Sequence, residues 1–308
     1  MITKNDLFPL GVGTWGIGGL ADRDTTIDKP KQVNALKYML QRGMNYVEAN
    51  LWYSQGYASE ILAEAYRTSG IKRENLFLVQ AVYLKDQTLQ DVEKEIDKLL
   101  KLFDTDYIDS LQFTQSTFLS FKFEDICSVV DKILTSKKAR FTSITNENLP
   151  LLKQYHERFG NKLFSHEVCY NFEIRTNETD GTTKYAQDND ILTVLYQPLR
   201  RNRTANRNWP LLVELSKKYG ITQNQVIISW LVTKGFLPLI KSESIAHIDE
   251  NLEAIKHKLD DEDIQRLNDF VAPGYTPLPI DWDKTGNGFR IDQISNVFGE
   301  EYDKQIKP

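Results

Sequence analysis

GVGTWGIGGLADRDTTIDKP, residues 11–30, decides between two architectures. It opens with a literal G-x-G-x-x-G at Gly11, Gly13 and Gly16, the spacing with which an open, doubly wound sheet grips a dinucleotide. That motif works only where the glycines open a helix and an acidic residue follows about 20 positions on, at the end of the next strand. Here they run into IGGLADRDTTIDKP, which adds turn formers and has no helical period. The first helical period begins only after Pro30, at KQVNALKYMLQRG. The glycines therefore read as a strand end followed by a wide loop.

Outward from that stretch, short β-rich runs bounded by turn residues recur along the chain, as buried parallel strands should. They are Leu10–Gly13, Asn45–Ala49, Leu76–Ala81, Tyr107–Phe113, Arg140–Thr145, Phe164–Tyr170, Ile191–Tyr196 and Leu237–Lys241. Amphipathic segments separate them. LQDVEKEIDKLLKLF (Leu89–Phe103) gathers Val92, Ile96, Leu99, Leu100 and Phe103 on one helical face. EDICSVVDKIL (Glu124–Leu134) and WPLLVELSKKYG (Trp209–Gly220) behave alike, and ITQNQVIISWLVTKG opens with Thr222 as an N-cap. Strand–helix alternation demands a parallel sheet with right-handed crossovers, and eight such units predict an α/β fold, a closed (β/α)8 TIM barrel. That count takes up nearly all of the 308 residues, so a single domain is expected over 1–308, with 271–308 a tail on or near the pocket. Trp282 and Phe289 are its pocket candidates.

Composition narrows the function classes. With 41% hydrophobic and 26% charged residues, the chain has the make-up of a folded globular protein. A net charge of −5 without a basic block argues against nucleic acid. No apolar run approaches the roughly 20 residues of a membrane span, and MITKNDLFPLGVG lacks a signal-peptide pattern. Cys127 and Cys169 can form at most one disulfide and read instead as buried thiols of a cytoplasmic protein. The four histidines have no metal-ligand spacing, so no metal is expected.

In a parallel barrel, function sits at the C-terminal ends of the strands. The residues just past them are Thr14 and Trp15; Glu48, Asn50, Trp52 and Tyr53; Gln80, Ala81 and Val82; Gln112, Phe113 and Thr114; Thr145 and Asn146; Glu167, Tyr170 and Asn171; YQPLRRNR (Tyr196–Arg203); and LIKSES. The last two loops are basic. Arg200, Arg201, Arg203 and Arg207 cluster in one, and Lys241-Ser242 precede a helix expected to start near Ala246, whose N-terminus favours an anion. They predict a phosphate-bearing ligand, unless the arginines only solvate a long loop.

These residues resemble those of the aldo-keto reductases, NADP(H)-dependent (β/α)8 barrels. The resemblance runs through LGVGTWGIGG, GMNYVEANLWYSQGYASEILAEAY, RENLFLVQA, DTDYIDSLQF, VCYN, VLYQPL and PLIKSESIAHIDENLEAI. It implies Tyr53 as the catalytic tyrosine, with Glu48 where the family has an aspartate, Ala81 where it has a lysine and Thr114 where it has a histidine. On the cofactor side it implies Thr145 and Asn146 at the carboxamide, Glu167 in place of a glutamine, and Tyr196 stacked on the nicotinamide. Lys241 and Ser242 would meet the 2′-phosphate and Glu250 and Asn251 the adenine, with His247 in place of an arginine. Thr14, Trp15, Gln197, Leu199 and Arg200 complete the expected cofactor contacts.

The expected substrate is a small molecule of carbonyl type. Without a lysine cation beside it, Tyr53 should be a weak acid, whereas a buried Glu48 should have a raised pKa and could donate a proton to Tyr53 or to substrate. The alternatives are a Glu48 carboxylate paired with a loop arginine or with solvent. Lys85 reaches the site only if its loop folds back, and His166 should point away, since successive strand residues face opposite sides. Two functions follow. One is an oxidoreductase with an altered acid–base set; the other is an NADP(H)-binding barrel without turnover, acting as a sensor or on a protein partner.

Overall fold

The computed structural model describes residues 2–84 and 87–273. Eight parallel strands close in sequence order: β1 (Gly11–Val12), β2 (Tyr46–Ala49), β3 (Phe77–Val82), β4 (Ile108–Thr114), β5 (Ala139–Thr145), β6 (Leu163–Cys169), β7 (Leu192–Tyr196) and β8 (Leu237–Ile240). β1 pairs with both β2 and β8, which completes the (β/α)8 barrel. All eight sequence-predicted strands are present, some shifted by a residue or two at their ends. The glycines of residues 11–30 lead from β1 into turns and bends, and the following helix is Lys29–Gln41, capped by the Asp28 side chain on the backbone N–H of Lys31.

The helices keep the faces their sequences predicted. Asp91–Phe103 buries Val92, Ile96, Leu99, Leu100 and Phe103. Pro210–Tyr219 ends on left-handed Gly220, and Gln223–Thr233 starts at Thr222 with a reciprocal capping box to Gln225. The lower interior of the barrel is filled by Tyr46, Phe77, Val79, Phe164, Val194, Leu237 and Leu239. Gly11 belongs to this packing, because a Cβ there would lie 2.6 Å from Leu239 and 2.7 Å from Leu237. Beneath the barrel, Asp109 accepts from Arg73 (2.7 Å), Arg140 (2.6 Å) and the backbone N–H of Leu78 (2.9 Å). Cys127 and Cys169 are buried free thiols, and no helix among the described residues is long and apolar enough to cross a membrane. The tail residues Trp282 and Phe289, and Lys85, lie outside the described residues.

Candidate active site

Above the apolar packing, polar side chains cross the barrel in two layers. The lower one is a chain of hydroxyls: Ser143 Oγ lies 2.7 Å from Ser110 and 2.8 Å from Ser165, which in turn lies 3.5 Å from Tyr46 Oη. One strand step of two residues higher, side chains return to the same inward face. That step brings in Glu48, Ala81, Gln112, Thr145 and Glu167. Gln112 donates across the barrel to Glu167 at 2.8 Å, and Thr145 is the register neighbour of Glu167. The backbone carbonyl of Glu48 accepts from the Thr14 hydroxyl at 3.0 Å.

Tyr53 donates to Glu48 Oε1 at 3.3 Å. It reaches the mouth because the segment after β2 turns sharply, with Ser54 and Gln55 in the left-handed region and the Ser54 hydroxyl bound to the Ile17 carbonyl at 2.7 Å. Around it stands a wall of rings. Trp15 meets Tyr53 edge-on at 4.9 Å and stacks parallel to Trp52 at 5.9 Å; Trp52 meets Tyr83 at 5.0 Å. Burial raises Glu48 from 4.5 to about 7. Burial, and then the charge of Glu48, push Glu167 well above the ordinary carboxylate range. Burial and both carboxylates push Tyr53 upward as well. Among the described residues the partner of Glu48 is Tyr53, not a loop arginine.

The opposite wall carries the expected cofactor residues. Asn146, at a left-handed φ of 63°, receives the Tyr196 hydroxyl at 2.9 Å on Oδ1 and donates its backbone N–H to the Glu167 carbonyl at 2.9 Å. Thr145 Oγ1 is buried with no partner among the described residues. Gln197 is also left-handed, and Leu199 packs between two core clusters. Lys241 Nζ donates to the Gly16 carbonyl at 3.1 Å, bridging the loops after β8 and β1. Beyond it, Ser242 accepts from the backbone N–H of Ser244 at 3.1 Å, and Ser244 caps the helix Ile245–Ala254 that carries His247, Glu250 and Asn251. Glu250 is partly engaged, accepting from Thr222 at 2.6 Å.

Two of the four clustered arginines meet a buried carboxylate. The Arg200 guanidinium is fully buried against Glu173, which also accepts from Arg207 at 2.7 Å and from the Trp209 indole at 2.7 Å. Among the described residues, this buried carboxylate binds both arginines. The signal was an isolated Glu in the apolar run VCYNFEI. His166 points away from the mouth as expected, accepting from the Glu147 backbone N–H at 3.1 Å and held neutral by burial, which lowers it to about 3. Thr114 spends its hydroxyl on the Val82 carbonyl (3.3 Å) and Ser116 (2.8 Å). Gln112 and Tyr83 were visible or adjacent in the strand-end reading, but their partners were not.

Comparison with known proteins now bears on this geometry. The model of the aldo/keto reductase family matches residues 9–272. An NADPH-dependent alpha-keto amide reductase of Saccharomyces cerevisiae is 25% identical over 243 residues, 72% of this chain and 77% of that protein. A D-galacturonate reductase of Hypocrea jecorina is 24% identical over 289 residues, covering 85% and 86%. Among solved structures, a thermostable aldo-keto reductase in complex with the inhibitor epalrestat superposes with a TM-score of 0.76 at 27% identity, covering 85% of this chain and 94% of that one.

Proposed function

This chain belongs to the aldo/keto reductase family, and from that membership we propose that it is an NADP(H)-dependent oxidoreductase whose acid–base set is Glu48 with Tyr53. The residues present fit the cofactor. The unpartnered Thr145 hydroxyl and Asn146 stand beside Tyr196 at the barrel mouth. Lys241 and the N-terminus of helix Ile245–Ala254 supply positive charge and backbone N–H groups for a phosphate. When bound, the reduced nicotinamide supplies a hydride to the electrophilic carbon of a carbonyl-type substrate.

The observation that carries the acid–base assignment is the Tyr53–Glu48 hydrogen bond. A useful general acid has a pKa near the working pH. Tyr53 is driven away from that range and Glu48, at about 7, into it. Glu48 therefore delivers the proton, and Tyr53 holds its carboxyl in place. Glu48→Gln is expected to lower kcat by roughly 10²–10⁴-fold, the usual share of general acid catalysis, while leaving NADPH quenching of tryptophan fluorescence intact. Unchanged turnover in that variant excludes obligatory proton transfer by Glu48. A second reading, NADP(H) binding without turnover in a sensor or interaction protein, is favoured by Ala81 and by the engaged hydroxyl of Thr114 at two family catalytic positions. Quenching with no turnover over a panel of carbonyl and imine compounds selects it, and no quenching rejects both readings.

A further inference from the structure

Among the described residues, the ionisable groups that meet Tyr53 inside the barrel mouth are carboxyls. Glu48 and Glu167 face the interior, and the charge of Glu48 acts on Glu167 while both act on Tyr53. Burial and neighbouring polar groups or carboxylates shift these two glutamates; no described lysine or arginine contributes. Gln112, 1% exposed, gives its amide N–H to Glu167 and leaves Oε1 as a buried acceptor with no partner among the described residues. Over them lie the half-buried rings of Trp15, Trp52 and Tyr53, whose π faces attract cations. Carboxylates, an amide oxygen and ring faces together accept positive charge.

Resting on the reductase reading above, we propose that the reacting double bond of the substrate is a basic C=N group, held at this mouth as an iminium cation. Reducing a carbonyl builds negative charge on oxygen, which a protonated Glu48 can meet but which either carboxyl opposes once ionised. Protonating an imine creates positive charge on nitrogen, which they favour, and the iminium is the form that accepts hydride readily. The step balances. Glu48 gives its proton to the imine nitrogen, hydride from the reduced nicotinamide adds to the carbon, and the π pair settles on nitrogen. The products are an amine and the oxidised nicotinamide, and Glu48 regains a proton from solvent.

Three compounds on one fused-ring frame test this: 3,4-dihydroisoquinoline, its N-methyl iminium salt, and 1-tetralone. In a tryptophan fluorescence titration of the unliganded protein, the salt is expected to bind at least ~10-fold more tightly than the ketone, in keeping with a desolvated cation against rings and carboxylates. Glu48→Gln and Glu167→Gln should each shrink that preference without weakening the ketone. Equal affinity of the wild-type protein for salt and ketone overturns the proposal. With NADPH present, consumption of the imine in excess of the ketone supports it. Consumption of the ketone alone overturns it but leaves the reductase reading standing, and NADPH binding with neither compound consumed overturns both.

Discussion

Glu48 carries a cost that depends on pH. Its pKa in the folded chain, about 7, lies above the ordinary 4.5, so the fold binds a proton that the unfolded chain has already released between those values. Its contribution to stability is fully present below about pH 4.5 and is lost as pH rises through about 7. The full loss amounts to about 3 kcal/mol at 1.36 kcal/mol per pKa unit. Glu48→Gln removes the ionisation. Urea unfolding should find the variant more stable than wild type at pH 8 and close to it at pH 4.5; the same difference at both pH values would contradict a raised Glu48. The sequence allowed the Glu48–Tyr53 contact, because the two are five positions apart on one strand end. It hid the Gln112–Glu167 bond, whose partners are 55 positions apart and meet only after the barrel closes.

At the scale of elements, the segment from Arg200 to Trp209 is tied to a buried carboxylate and to the side chains of Gln223 and Asn224. Arg200, Arg201 and Asn202 hold left-handed backbone (φ 49°, 54° and 69°), a conformation unfavourable for side-chain-bearing residues unless the surroundings fix it. Glu173 does that through Arg200, Arg207 and Trp209. Glu173→Ala would take the buried carboxylate away from a buried guanidinium and should cost about 3–5 kcal/mol. Urea denaturation reads the loss, and trypsin should cleave within residues 200–207 faster than in wild type; unchanged cleavage would show that other contacts hold the segment. The sequence groups four arginines but does not reveal that two of them share a buried carboxylate, because it displays only neighbours along the chain. The counter-charge lies 27 positions upstream of Arg200. Helix Asp91–Phe103 was legible for the opposite reason: its periodic apolar face needs no knowledge of what it packs against.

For the whole molecule, the eight-fold alternation made the fold readable, since in a parallel barrel consecutive strands are also spatial neighbours. The chemistry at its mouth depends on distances across the barrel, which alternation does not encode. A ligand that binds only the folded state stabilises it by about 2.7 kcal/mol at 100 times its Kd. Thermal unfolding should therefore shift upward with NADPH, and less with NADH at equal concentration if Lys241 and Ser242 read the 2′-phosphate. Equal shifts would remove that role from them. Lys241 already holds the Gly16 carbonyl, across the seam where the first and last strands meet. That bond uses one of the three N–H donors of the ammonium, so a phosphate read by Lys241 would share it with the carbonyl rather than displace it. In that case one ammonium would tie the loop after β1, the loop after β8 and the ligand together, and filling the site would tighten the seam of the barrel.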